Sequence, residues 1–111
     1  MKWLAIVALA AGCHKAAPER RPIPALPPAE VQRAHDACRA YVDKACSCTA
    51  PAAQHQCALA TPLPQALELV LATAANPGDD RDAALRAQVN VRETVKECVE
   101  ELAKLPALGC R

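Results

Sequence analysis

The chain has 111 residues and a net charge of +1, so it is one small domain at most and carries no field that would draw nucleic acid. Three glycines, and no Walker loop, dinucleotide-binding glycine pattern, G-x-S-x-G or H-E-x-x-H, exclude the common nucleotide, hydrolase and zinc-protease sites. With 26 alanines, no Phe, and Trp3 and Tyr41 as the aromatics, the core is thin, and seven cysteines are the available staple.

In chain order, Met1–Lys2 supplies a positive start, Trp3–Ala11 an apolar run and Gly12–Cys13 a small-residue end. Nine or ten apolar residues rise roughly 15 Å as a helix, about half of a hydrocarbon core, so the run reads as an export signal and not as a span. The sequence Leu9-Ala10-Ala11-Gly12-Cys13 resembles the lipobox of bacterial lipoproteins, with Ala10 where that family prefers Leu. The resemblance implies that residues 1–12 are a signal peptide that is removed. Cys13 then carries the lipid (palmitate and related acyl chains) and anchors the protein to a bilayer. In that family an Asp after the cysteine marks inner-membrane retention. Here His14 stands there, which implies the outer membrane, facing the periplasm or the cell surface.

Residues 13–28 form a tether. Pro18, Pro22, Pro24, Pro27 and Pro28 hold it in an extended course, about 40 Å long, and Lys15, Arg20 and Arg21 suit anionic head groups. The domain proper is expected over 29–111.

From Ala29 the period becomes helical. Val31, Ala34, Cys38, Tyr41 and Ala45 form one stripe, Pro28 and Glu30 suit the first turn, and Pro51 blocks continuation, which predicts a helix over 29–48. Thr61 is expected to cap a second helix, with Pro62 at its first position, an apolar face of Leu63, Ala66, Leu67, Val70, Leu71 and Ala74, and a stop at Asn76-Pro77-Gly78. Asp79 or Asp80 should cap the longest helix, whose stripe is Ala84, Gln88, Val91, Val95, Cys98, Leu102 and Leu105, with Pro106 as its end. No stretch alternates with period two. The expectation is an all-α fold, a disulfide-braced three-helix bundle running up, down, up.

Cys13 aside, six cysteines remain, and an even number in an exported chain reads as three disulfides. Cys38 and Cys98 lie on facing stripes and are expected to pair. Cys46 with Cys110 at the common end of the parallel first and third helices, and Cys48 with Cys57 closing the loop between the first two helices, complete the expected set, among fifteen formal possibilities.

The alternative is a zinc or copper site from Cys46, Cys48, His55 and Cys57, which supply thiolate and imidazole within twelve residues. Its spacing is not a common zinc spacing, and it would strand three other cysteines. A redox role for Cys46 and Cys48 lacks the C-x-x-C at a helix N-terminus that lowers a thiol pKa. Cys38 and Cys48 are spaced C-x₉-C and resemble twin-C-x₉-C hairpins, but Cys98 and Cys110 are C-x₁₁-C, which excludes that family.

The remaining candidates read as surface. Glu93–Lys96, Lys96–Glu100 and Glu100–Lys104 sit at pairing distance along the third helix. No nucleophile stands against those carboxylates. His35 reads as a boundary histidine and Tyr41 as core filling. So small a bundle should leave no room for a substrate cavity. These features together predict no catalytic residues, no cofactor, no nucleic-acid partner and no enzyme activity. They predict an anchored envelope module that makes structural or protein–protein contacts with an envelope partner.

Overall fold

The computed structural model describes Gly12, residues 23–76, Gly78 and residues 80–111; the expected signal peptide, Cys13 and most of the tether lie outside them. The fold is all-α, with no strand among the described residues. Its helices are α1 (Pro28–Ser47), α2 (Pro51–Ala60), α3 (Leu63–Ala75) and α4 (Arg81–Lys104), followed by a 3₁₀ turn at Leu105–Leu108.

Three arms make the bundle, because α2 and α3 run one after the other down the side of α1. Tyr41 meets Gln56 at the upper end, and His35 meets Glu68 lower down. α1 and α4 run parallel in a nearly constant register. Glu30 pairs with Arg92, Cys38 is bonded to Cys98, and Cys48 to Cys110, at sequence separations of 62, 60 and 62.

The expected stripes are the buried faces. Ala34, Cys38, Tyr41 and Ala45 of α1 share one core with Val91 and Cys98 of α4 and Leu67 and Leu71 of α3, and Ala84 and Ala74 are buried as well. The largest enclosed apolar side chains are Tyr41, Leu67, Leu105 and Val91, and each buried leucine contributes about 1.5–3 kcal/mol. Gln88 is a polar residue in the α4 stripe, and it is satisfied: its Nε2 donates to the Pro24 carbonyl at 2.8 Å. That bond and Leu26, which packs on the core, dock the end of the expected tether onto the bundle. The domain therefore begins several residues before position 29.

Two expectations at the middle arm are corrected. Residues 49–60 are not a loop: Pro51 opens a ten-residue helix, because proline fits a first turn and the alanine-rich residues after it contain no breaker. As a result Thr61 is not an N-cap. It ends α2 in right-handed helical geometry (φ −52°, ψ −40°), and its hydroxyl donates back to the Cys57 carbonyl at 2.7 Å. Pro62 stands at the start of α3 instead. By length and composition alone α2 and α3 together could cross a membrane. Here their buried residues pack on α1 and α4, and Cys57 is tied to α1.

At the start of α4 the Asp80 carboxylate accepts from the Ala83 N–H at 2.9 Å, a side-chain cap. At its end Pro106 does not stop the chain outright. The 3₁₀ turn continues to Gly109, whose φ of +89° reverses the backbone, and Cys110 then turns in and is buried.

Candidate functional site

Chemistry-bearing side chains gather at one pole, where α1 ends, α2 begins and the chain finishes. Three disulfides brace the molecule. Cys38–Cys98 lies mid-bundle, with Cα atoms 5.0 Å apart, and is the pair that the facing stripes suggest. The other two differ from expectation. Cys46 is bonded to Cys57 (Cα–Cα 4.6 Å) and Cys48 to Cys110 (Cα–Cα 5.6 Å), where Cys46–Cys110 and Cys48–Cys57 were expected.

Helix α2 is the reason for the exchange. With 51–57 helical, Cys57 is carried about 9 Å along the α2 axis from Pro51, and its Cα comes to 4.6 Å from that of Cys46 on the last turn of α1. Cys46 on that turn is therefore its neighbour. Cys48 has already left the helix (φ −78°, ψ 140°) and turns toward the buried Cys110. The chain is closely packed beside this bridge: a Cβ at Gly109 would sit 3.3 Å from the Ala50 Cβ. The Lys44 ammonium donates to the Arg111 carbonyl at 2.7 Å, which holds the end of the chain to α1.

Tyr41 sits beneath α2, 2% exposed. Its hydroxyl donates to Gln56 Oε1 at 2.8 Å. Burial raises its pKa above the ordinary value, the Glu101 and Glu97 carboxylates raise it further, and Lys104 partly offsets them. Lys104 is itself held above its usual value, chiefly by its 2.9 Å hydrogen bond to Glu101. That bond replaces the expected Glu100–Lys104 pair, while Lys96 and Glu100 do approach, at 3.8 Å.

The ligand set of the metal alternative is not brought together. Cys46 and Cys57 are bonded to each other, Cys48 is bonded to Cys110, and His55 is exposed on α2. Among the described residues no three His, Cys, Asp or Glu side chains converge as a metal site.

The expectation of no cavity is also corrected. An open apolar groove of about 320 Å³ lies between α1 and α3, with Leu26, Val31, Leu71 and Ala75 among its walls. It exists because small residues, Ala72, Ala74 and Ala75, face it at the end of α3. At its rim His35 Nδ1 lies 3.0 Å from Glu68 Oε1, so the boundary histidine bridges two helices.

Sequence reasoning missed Gln56, Thr61 and Glu68 as partners. The signal that could have found the first two was the breaker-free run after Pro51, a helix-sized segment that had to fold back on α1. Comparison of the chain with family models, with curated proteins and with solved structures returns no match.

Proposed function

We propose that this chain is a lipid-anchored module of a bacterial cell envelope that works through structural or protein–protein contacts and not through catalysis. The observation that supports the reading best is the cysteine pairing. All six cysteines from Cys38 to Cys110 are consumed in three bridges, which leaves Cys13 as the one thiol for a lipid. Such a framework suits an oxidising compartment, and the Leu9–Cys13 motif suits acylation there, with the outer membrane as destination. The docked segment at Pro24 and Leu26 makes the tether shorter than its proline content suggests. It holds the N-terminal ends of α1 and α4 nearer the bilayer and sets the braced pole away from it.

Intact-mass measurement on membrane-extracted protein tests the reading. The expected result is loss of residues 1–12, an acyl increment on Cys13 and no alkylation of the other cysteines without reductant. Full-length, unacylated protein with reduced thiols would overturn it. Stoichiometric zinc or copper, together with reactive thiols at Cys46, Cys48 and Cys57, would restore the metal-binding alternative.

A further inference from the structure

The three bridges are not equivalent. Cys38, Cys98 and Cys110 are fully buried, so two disulfides keep at least one sulfur inside the core. Cys46 is exposed and Cys57 half-buried. What the bridges hold also differs. Cys38–Cys98 joins the packed faces of α1 and α4, which keep its two sulfurs adjacent, and Cys48–Cys110 joins the end of α1 to the buried cysteine after the 3₁₀ turn. Cys46–Cys57 holds α2, whose buried side chains are two alanines, Ala53 and Ala60, and whose one large aliphatic residue, Leu59, is 54% exposed. Apart from the Tyr41–Gln56 hydrogen bond, this helix packs on the core through small side chains, Ala53 and Ala60, with Ala50 and Cys57 beside them.

We infer that α2 is a flap latched by the Cys46–Cys57 disulfide, which a dithiol reductant opens while the other two bridges stay closed. A thiolate of the reductant attacks the exposed Cys46 Sγ, and the sulfur–sulfur bond breaks. The electron pair leaves on Cys57 Sγ, which takes a proton from water. The reductant's second thiol then displaces Cys46 and closes the reductant's own disulfide, so two electrons pass to the protein and two protons end on Cys46 and Cys57.

Equilibrium favours the same order. Re-forming a disulfide depends on how well the reduced fold keeps its thiols together, and exposed bridges are the labile ones. The packed α1–α4 core keeps Cys38 beside Cys98 and out of reach of solvent, whereas Cys57 is kept beside Cys46 by the packing of small side chains, one hydrogen bond and an eleven-residue connection, with Cys46 exposed. Once open, the flap uncovers Tyr41. The inference stands on the bundle's geometry and does not require Cys13 to be acylated.

The test titrates the intact protein with dithiothreitol, traps thiols by alkylation and maps them by mass. Cys46 and Cys57 should be labelled first, with Cys46–Cys57 open to at least about tenfold greater extent than Cys38–Cys98 at the same potential. Amide exchange over 51–60 should then accelerate, and the alkaline titration of Tyr41 should move back toward its ordinary value. The C46S/C57S variant should show the same exchange in α2 with α1 and α4 still protected. Labelling of Cys38, Cys48, Cys98 or Cys110 first, an unchanged α2 after selective opening, or global unfolding of C46S/C57S would each overturn the inference.

Discussion

Replacing Cys48 and Cys110 by alanine should cost less than the length of the loop they close suggests, and the shortfall can be calculated. The two residues are 62 apart. A loop of that length, closed on its own, stabilises by about 4.3 kcal/mol in the chain-entropy account. Here Cys38–Cys98 already joins α1 to α4, so the second bridge closes only the ten residues from Cys38 to Cys48 and the twelve from Cys98 to Cys110. That shorter circuit is worth about 3.4 kcal/mol. The C48A/C110A variant should therefore melt about 15–25 °C below the parent. C38A/C98A loses the same loop term plus the packing of two buried sulfurs. With both bridges gone the loss should exceed the sum of the separate loop terms by about 0.9 kcal/mol, because the last cross-link removed closes the full-length loop. Against a total of about 5–15 kcal/mol, that variant should be largely unfolded. Thermal unfolding by circular dichroism, with free thiols counted in each variant, measures these differences. Strict additivity with each pair costing the full-length value, or single losses below about 1 kcal/mol, would refute the shared-circuit reasoning.

Tyr41 is the chain's one tyrosine, so its ultraviolet titration is a clean signal. Burial and the Glu101 and Glu97 carboxylates favour the neutral phenol, so half-titration should lie above the unfolded value of about 10. The associated stability is complete below that value and is lost as the pH rises through the folded pKa. Titration at or below the value found in denaturant would contradict the buried setting. Gly109→Ala should cost about 1–2 kcal/mol for the left-handed backbone. The new Cβ, 3.3 Å from Ala50, should also leave measurable free thiol at Cys48 and Cys110. Asp80→Ala should lower the urea midpoint by an amount worth about 1 kcal/mol, while Asp80→Asn, which still accepts from the Ala83 N–H, should recover most of it.

Much of the bundle was legible in one dimension because apolar spacing reports directly on which side of a helix is buried. The stripe from Ala84 to Leu105 is the core face of α4 and of the first residue of the 3₁₀ turn after it, and its one polar member, Gln88, is explained once the Pro24 carbonyl is beside it. The middle arm was harder. Pro51 reads equally well as the end of one helix and the start of another, and α2 has too few large apolar residues to show a stripe. Its misreading as a loop carried directly into the cysteine assignment, since a one-turn change in where Cys57 stands exchanges Cys46 for Cys48 as its neighbour.

The sequence by itself determined an all-α chain, three apolar faces, the parallel course of the first and last arms and an even set of cysteines outside the N-terminal motif. These follow from periodicity, breakers and counting, which are local properties. Only the tertiary structure decided which sulfurs meet, that Thr61 closes a helix and does not open one, that His35 reaches Glu68, and that Tyr41 lies under a thinly held helix. Those contacts depend on the axial offset between packed helices. Changing the start of one helix by a single turn moves every partner along it by about 5.4 Å, more than the spread of spans that a disulfide or a hydrogen bond tolerates.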